Sequence, residues 1–295
     1  MPSTQEFRRR IKSVQNTKQI TRAMEMVASV KMQKAQRSII EARSYIQNSW
    51  HMLSVLANHT AAEKHPLLEK REVKNIALVV ATSDKGLCGS FNSDVLRKTL
   101  HFIKENGDKK IDIISIGRKG ADYLRRNSRC DIVAQFQDYG REIEFEEILP
   151  IAKVLRSGYL DKTYDQIDLI YSHFESALKQ TPVVKQLLPI VEDHMDILDL
   201  WQKPIHLDKE VEYKFEPDPD TVLERLLPQF LRMQLFGAML ESNASEHSAR
   251  MVGMKNATDN AGSLIDELTL LYNSIRQDSI TREIAEISSA AEAMG

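Results

Sequence analysis

The last seventy or so residues of the chain carry a repeat of apolar and polar positions that is typical of a coiled-coil helix. Alternating steps of four and three residues from Leu226 to Ile275 meet mostly apolar side chains over seven heptads, which a single amphipathic surface helix seldom sustains. Beyond Ile275 the apolar stripe shifts in phase, and such a shift changes the local supercoil winding. The heptad positions are Leu226, Phe230, Met233, Gly237, Leu240, Ala244, His247, Met251, Met254, Thr258, Ala261, Ile265, Leu268, Tyr272 and Ile275, followed by the shifted set Ile280, Ile284, Ile287 and Ala291.

The N-terminal part of the chain carries a second seam, which a polar interval interrupts. In that interval, at Lys18, Thr21 and Glu25, the apolar side chains occupy other positions of the helix. Since Ile20, Met24 and Val27 then form the apolar stripe, we expect the seam to rotate around the helix and to change neighbours there. The apolar seam positions are Phe7, Ile11, Val14, Ala28, Met32, Ala35, Ile39, Ala42, Ile46, Ser49, Leu53 and Leu56.

Helix-breaking residues are nearly absent from both ends. No glycine precedes Gly86, no proline lies between Pro2 and Pro66, and no proline follows Pro228. Each end is therefore predicted to form one helix of roughly sixty residues, about 90 Å long at ~1.5 Å per residue. Residues 1–50 hold ten Lys/Arg against three Asp/Glu, whereas residues 221–295 hold six against ten. The two ends are thus expected to pair with each other, antiparallel, instead of binding nucleic acid.

The middle of the chain alternates between short apolar strands and amphipathic helices, which predicts a mostly parallel sheet covered by helices. The fold class is therefore α/β, a long antiparallel coiled coil of N- and C-terminal helices plus a Rossmann-like central α/β domain. The predicted domains are residues 1–70, 71–212 and 213–295, with Asp218 or Asp220 capping the last helix. The predicted strands are Ile76–Ser83, Ile111–Ile116, Ile132–Phe136, Ile167–Phe174 and an edge strand Val183–Leu188; the helices are Asn92–Glu105 with an N-cap at Asn92, Lys119–Arg126 and Glu146–Tyr159.

Candidate chemistry centres on the first strand-to-helix turn, Ser83–Asn92, because nucleotide sites usually lie at such turns. The turn has only two glycines in a G-x-x-G spacing, with Lys85 before the first, so a tight structural turn is favoured over a phosphate loop. Cys88 could be a nucleophile but is more simply a small buried residue. His247 in the heptad core is either a seam irregularity or a partner contact. No spacing indicates catalytic, cofactor or metal residues.

Net charge −2, two distant cysteines and the lack of a long apolar run indicate a chain outside the membrane, in a compartment where disulfides are not needed. A basic helix that binds RNA should interleave aromatic residues, but residues 8–37 contain none. Two other readings nevertheless stay open from these patterns alone. One is a nucleotide-dependent enzyme with a helical dimerisation arm, and the other is a coiled-coil adaptor.

Five runs of sequence resemble the gamma subunit of F-type ATP synthases. At the start the resemblance lies in Arg10–Ala28 and Lys31–Gln36, and in the middle in the turn Asp84–Gly89. At the end it lies in Ala249–Ala261 and Arg276–Ile287. The matching runs cover both ends and the first strand-turn of the middle domain, whereas the sequence beyond Asn92 in that domain is much less diagnostic.

The resemblance implies a central rotor shaft without catalysis of its own and without a cofactor. The shaft would stand in the ring of alpha and beta subunits, with its foot on the epsilon subunit and the membrane c-ring. Met24 and Arg250 would then lie near the moving lever of the beta subunit, and Arg276, Gln277 and Thr281 near its catch region. The implied location is peripheral, on the cytoplasmic face of the bacterial plasma (inner) membrane, with membrane association only through the c-ring.

Overall fold

The computed structural model describes residues 4–57, 65–139, 143–190 and 214–294. The chain forms two compact units, one of residues 29–250 and one of residues 1–28 together with 251–295. Helix α1 (Thr4–Ala57) and the last helix, α5 (Pro219–Met294), each contribute residues to both units. The long breaker-free ends are therefore single helices, as their sequences predict.

The larger unit contains a five-stranded mixed sheet in the order β3-β2-β1-β4-β5. The first four strands along the chain are parallel, and β5 pairs antiparallel with β4 at the edge. Because β1 lies between β2 and β4, the strand order reverses beside β1, as in nucleotide-binding sheets. The elements are β1 (Asn75–Ala81), α2 (Phe91–Glu105), β2 (Lys110–Ile116), α3 (Arg118–Asn127), β3 (Asp131–Phe136), α4 (Phe145–Leu160), β4 (Gln166–Phe174) and β5 (Gln180–Leu188).

Side chains that alternate along β1 build a core on each face of this sheet. Ile76, Leu78 and Val80 pack with residues of α2 and α3. Ala77 and Val79 face the opposite side, where α4 and the ends of α1 and α5 supply Ile151, Leu56 and Leu227 among others. A strand buried on both faces needs a continuous apolar run, which is why the pattern at Ile76–Ala81 predicted β1.

The two predicted helix caps have different outcomes. Helix α5 begins after Asp218, whose Oδ1 accepts a 2.8 Å hydrogen bond from the Thr221 backbone N–H, so the cap predicted there is confirmed. Helix α2 begins one residue earlier than predicted, after Ser90, and Asn92 is not its N-cap. The Asn92 side chain instead donates hydrogen bonds to Ser83 and Cys88, and these bonds connect the two ends of the turn between β1 and α2.

In the smaller unit, α1 and α5 form an antiparallel pair. The Arg8 guanidinium lies 5.9 Å from the centre of the Tyr272 ring, and the Thr258 hydroxyl donates a 2.8 Å hydrogen bond to the Thr21 hydroxyl. Position along α1 thus rises as position along α5 falls. The predicted α5 seam faces the partner helix, since Met254, Thr258 and Ala261 are buried.

The expected rotation of the α1 seam is wrong. Thr21 is buried, whereas Ile20 and Val27 are exposed by 60% and 58%. The heptad register therefore continues through the polar interval without a change of face. The Thr21–Thr258 hydrogen bond lets a polar layer occupy the seam, so Ile20 and Val27 point outward.

The two predicted domain boundaries are not tested by these elements. The predicted division at 212/213 lies outside the described residues, and the other falls at 70/71, between the end of α1 and β1. The division into residues 1–70, 71–212 and 213–295 therefore stays a prediction.

Candidate functional site

The turn between β1 and α2 is closed by hydrogen bonds within the chain. The Asn92 carboxamide accepts from the Ser83 backbone N–H at 3.0 Å, and its Nδ2 donates to the Ser83 hydroxyl at 2.7 Å. Cys88 is buried beside them, and burial raises the pKa of its thiol. A thiol with a raised pKa holds little thiolate, so the turn does not present Cys88 as a nucleophile.

The backbone amides at the N-terminus of α3, the helix that follows β2, are engaged by the segment that ends β1 and begins the glycine turn. At the N-terminus of α3, the Arg118 N–H donates to Asp84 Oδ1 at 3.0 Å, and the Gly120 N–H donates to Thr82 Oγ1 at 2.9 Å. Between them, the Lys119 N–H donates to the Ser83 carbonyl. A phosphate would have to displace these bonds, which favours the structural interpretation of the turn.

Tight packing explains why glycine is required at this edge of the sheet. A Cβ at Gly117, whose φ is +90°, would lie 2.1 Å from the Thr82 carbonyl oxygen. The chain therefore closes the edge with backbone contacts and leaves no room there for an added ligand group.

The crevice beside β1, where sheets of this order bind their ligands, lies next to eight consecutive buried residues of α5. These residues, Glu241–Ser248, are mostly polar, and we call them the polar collar. A helix that is buried on every side is usually apolar. Contacts on three sides of α5 account for the burial of the collar.

On the first side, the collar binds β4 and the β4–β5 turn. Glu241 Oε2 lies 2.6 Å from His173 Nδ1, and both side chains are almost completely buried. One turn further along α5, the Ser245 hydroxyl donates to the Ser172 carbonyl at 3.0 Å. The Ser248 hydroxyl then donates to the Ala177 carbonyl at 2.6 Å. Spacings of four and three residues place these three collar side chains on one face of the helix.

Glu241 also influences two further buried groups of the sheet. Burial, reinforced by Glu241, raises the pKa of Tyr171 well above its ordinary value, so the phenol keeps its proton. Burial lowers the pKa of Lys185, and the nearby Glu241 carboxylate partly opposes this shift. Glu241 is therefore the shared partner of side chains from both β4 and β5.

On the second side, Arg250 joins α5 to the glycine turn. Its Nη2 lies 2.8 Å from Glu246 Oε1 in an ion pair that is largely buried, and 3.4 Å from the carbonyl oxygens of Lys85 and Gly86. Burial raises the pKa of Glu246, although the Arg250 charge opposes it. The guanidinium thus bridges the helix and the turn.

On the third side, the collar meets the end of β3 and helix α1. Asn243 Nδ2 donates to the Tyr139 carbonyl at 3.0 Å. His247 lines a small open pocket together with Lys31 and Ala35 of α1. Burial, with the charges of Arg250 and Lys31, lowers the pKa of His247 to about 4, so its imidazole is neutral at pH 7. Its heptad position is therefore a contact within the chain.

The five residues that the resemblance singled out are divided between the two units. Arg250 lies in the larger unit, at the collar. Met24, Arg276, Gln277 and Thr281 lie in the smaller unit, with Met24 half-buried and the other three exposed. The Thr281 hydroxyl donates to the Gln277 carbonyl one turn earlier, so the helix itself satisfies it. The structure does not test the assigned contacts of these residues with other subunits.

Sequence reasoning missed Glu241, His173 and Lys185. The signal was present, because residues 241–248 read Glu-Ser-Asn-Ala-Ser-Glu-His-Ser directly after the apolar stretch Leu235–Leu240. Heptad counting sampled only two of these positions, Ala244 and His247. A run of polar residues in a helix predicted to be buried should prompt a search for polar partners.

Searches for other chemistry gave two further findings. Within the described ranges, no three His, Cys, Asp or Glu side chains are placed to hold a metal ion. No helix among the same residues is both long and apolar enough to span a membrane.

Comparisons with known proteins give one consistent family. The family model described as ATP synthase matches residues 3–294. The ATP synthase gamma chain of Roseiflexus castenholzii is 43% identical, with 100% of this chain and 99% of that protein aligned. The gamma chain of Heliobacterium modesticaldum is 40% identical over the full length of both.

Solved structures agree at the level of the fold. The central stalk/c-ring structure of the Tetrahymena thermophila mitochondrial ATP synthase contains a chain that is 27% identical, with a TM-score of 0.62 and coverage of 81% of this chain and 99% of that one. A chain of the Euglena gracilis mitochondrial ATP synthase has a TM-score of 0.69 at 19% identity, covering 99% of this chain and 94% of that one. From its full-length match to curated relatives, this chain belongs to the ATP synthase gamma chain family.

Proposed function

We propose that this chain is the central rotor shaft of an F-type ATP synthase. Its rotation would couple proton flow through the membrane ring to ATP synthesis or hydrolysis at the beta-subunit sites. The observation that carries the proposal is the exposed end of α5, where residues 276–291 continue beyond the pairing with α1 and display Ile280, Ile284 and Ile287. Three exposed isoleucines at helical spacing on a gamma-family chain fit a surface that another subunit covers.

We further propose that the chain has no catalytic activity of its own within this multisubunit enzyme. The polar collar of α5 lies where a related sheet would hold a nucleotide, and the surrounding amides bond within the chain. This arrangement argues against the nucleotide-dependent enzyme that the sequence alone left open. It supports a chain that acts by favouring different conformations in the subunits that it touches.

The proposed partners are the ring of alpha and beta subunits, the epsilon subunit and the c-ring. The relatives are bacterial gamma chains, and the Tetrahymena structure is described as a central stalk with a c-ring. We accordingly place the chain at the periphery of the bacterial inner membrane, on its cytoplasmic face. Membrane association would be indirect, through the c-ring.

The roles of the individual residues remain part of the proposal. Arg276, Gln277 and Thr281 lie on the exposed end of α5, where a beta-subunit catch region could reach them. Arg250 would act differently. Because its guanidinium is held by Glu246 and the carbonyls of the glycine turn, it would fix the shape that this region presents to the beta-subunit lever.

Reconstitution tests the proposed function directly. The purified chain is mixed with alpha and beta subunits, and the rate of ATP hydrolysis is compared with that of the separate subunits. A stable complex with higher turnover is expected. If no complex forms, or if turnover equals that of the subunits without the chain, the rotor proposal is wrong.

A charge at Met24 tests the proposed contact with the lever. Since Met24 is proposed to lie near the lever and its side chain is only half-buried in this chain, Met24→Lys should disturb the coupling of ATP turnover to proton transport more than it disturbs folding. Met26→Lys is the matched control, since Met26 is 60% exposed two residues away on the same helix. Equal losses of assembly and coupling in Met24→Lys, or equal effects of the two substitutions, would contradict the assignment.

A further inference from the structure

The polar collar has a composition that burial alone does not require. A helix segment can be held in a core by apolar contacts, and exchanging a buried ion pair for well-packed apolar residues is often neutral or stabilising. Here the buried segment instead carries Glu241, Ser245 and Ser248 on the side facing β4, all hydrogen bonded to the sheet or its turn. What polar contacts add over apolar ones is directionality, because a hydrogen bond weakens steeply when its geometry changes.

The contacts surround the helix. Glu241, Ser245 and Ser248 bind β4 and the β4–β5 turn, Asn243 binds the end of β3, and Arg250 binds the glycine turn. At ~100° per residue, Glu241, Ser245 and Ser248 leave α5 on one face, and Asn243 and Arg250 leave it on the opposite face. A helix held from one side could roll over its neighbour. A helix bonded from several sides cannot roll without breaking bonds on each of them.

The size of the effect can be estimated from helix geometry. Side-chain groups lie about 5–6 Å from the helix axis, so a roll of about 30° displaces them by roughly 3 Å. The roll is roughly perpendicular to bonds that leave the helix radially, so bonds of 2.6–3.0 Å would lengthen to about 4 Å, beyond hydrogen-bond distance. The collar therefore resists rotation of α5 about its own axis more strongly than an apolar surface of equal area would.

We propose that the polar collar is a rotational lock that passes torque between helix α5 and the α/β sheet, with Glu241 as its principal positioning residue. This inference rests on the proposed rotor function, because only a turning shaft loads the collar in this way. Glu241 has the central place because its carboxylate is shared by His173, Tyr171 and Lys185, which come from two strands.

The test measures how tightly the sheet follows the shaft. The chain is assembled with alpha and beta subunits fixed to a surface, and a bead is attached to the sheet through Lys98→Cys on the exposed side of α2, in a Cys130→Ser background. ATP hydrolysis and the angular fluctuation of the paused bead are recorded together. The apolar variant replaces the cluster with Glu241→Leu, His173→Leu, Lys185→Met and Tyr171→Phe, so that no buried polar partner is left alone.

The lock predicts that the apolar variant hydrolyses ATP at close to the original rate while the angular variance of the bead increases about twofold, because the directional contacts made by Glu241 are gone and only those of Ser245 and Ser248 are left on that face. The single substitution Glu241→Gln, which keeps the shape and removes the charge, should give a smaller increase. Lys153→Gln, on the exposed side of α4, is the control and should leave the variance unchanged.

The angular variance of the bead distinguishes a rotational lock from a collar that only stabilises the fold. Equal variance for the apolar variant and the original chain would show that the collar only holds the fold, and the lock would be wrong. If the apolar variant does not assemble, the angular variance of the bead in Glu241→Gln is compared with that of the original chain, and equal values would again show that the lock is wrong. Failure of the original chain to turn the bead would instead refute the proposed function, which keeps the two failures distinguishable.

Discussion

Two segments of helix α5 reverse the usual distribution of residues, in opposite senses. In the collar, Glu241–Ser248, polar side chains are buried. At the far end of the helix, residues 276–291 are all exposed although they include Ile280, Ile284 and Ile287. A buried polar group needs a hydrogen-bond partner. An exposed cluster of apolar side chains is typical of a surface that another protein covers.

The two segments differ in whether their contacts come from this chain or from another subunit. The collar finds its partners within the chain, in the strands, turns and helix that surround it. The far end lies beyond the paired part of α1, so its isoleucines have no neighbour to cover them among the described residues. One helix thus carries a segment selected for contacts inside the chain and another suited to contacts with other subunits. Substitutions should separate the two roles.

The largest expected loss of stability follows from removing the shared carboxylate of the collar. Glu241→Ala leaves His173 without its 2.6 Å partner and Lys185 without the nearby carboxylate, and removing a charged partner from a buried polar pair costs about 3–5 kcal/mol. Glu283→Ala at the exposed end should change the free energy of unfolding by less than about 0.5 kcal/mol. Urea unfolding of the two purified variants measures both values. Similar values for the two would mean that the collar does not stabilise the fold.

The next effect is a dependence of stability on pH that arises in the collar. The pKa of His247 is lowered from 6.5 to about 4 in the folded chain, so between these values the unfolded chain binds the proton and the folded chain does not. The stability that neutral His247 contributes is complete above pH 6.5 and is lost as pH falls toward 4, by at most about 3 kcal/mol.

The variant His247→Gln removes the titrating group from the collar. The free energy of unfolding, measured by urea titration at pH 7.0 and pH 4.5, should therefore fall less on acidification in this variant than in the original chain. His101→Gln is the control, because His101 is exposed on α2. An unchanged acid dependence in His247→Gln would assign the loss to other groups.

The sequence predicts most of the fold because the fold depends on periodicity. The strands β1, β2 and β4 and the long helices follow from apolar runs and from the lack of glycine and proline. The collar is different. Its contact between Glu241 and His173 joins residues 68 positions apart, and no local pattern specifies which buried polar groups meet in three dimensions.

The seam of α1 shows a second limit of the sequence pattern. Apolar side chains at Ile20 and Val27 suggested that the seam turns, whereas the chain buries Thr21. A hydroxyl can occupy the seam because Thr258 offers the matching group on the other helix. Single-sequence reasoning cannot see such a pair, since each threonine alone looks like a surface residue.

A smaller effect is expected at this threonine pair. Thr258→Val keeps the shape but removes the hydrogen bond to Thr21, and should cost about 1 kcal/mol. Thr21→Val together with Thr258→Val should recover part of that loss, because the buried layer is then apolar on both helices and the Thr21 hydroxyl, which still donates to the Lys18 carbonyl in the single variant, no longer faces a methyl group. A double-mutant cycle on the unfolding free energy measures the coupling. Additive costs would show that the two hydroxyls do not interact.

The smallest effect on the stability of the chain, and the sharpest separation of the two segments, is expected at the exposed end. Ile280→Ser, Ile284→Ser and Ile287→Ser together should shift the unfolding free energy by less than about 0.5 kcal/mol per site, because these side chains are already in water. They should nevertheless weaken assembly with alpha and beta subunits, since covering one isoleucine stabilises a contact by about 1.5–3 kcal/mol. Titration of the chain into alpha and beta subunits, with ATP hydrolysis as the readout, measures this loss, and Glu283→Gln with Glu286→Gln on the same turns serves as the control. Unimpaired assembly of the serine variant would mean that this end of α5 is not covered by other subunits, and the contrast with the collar would then lie in burial alone.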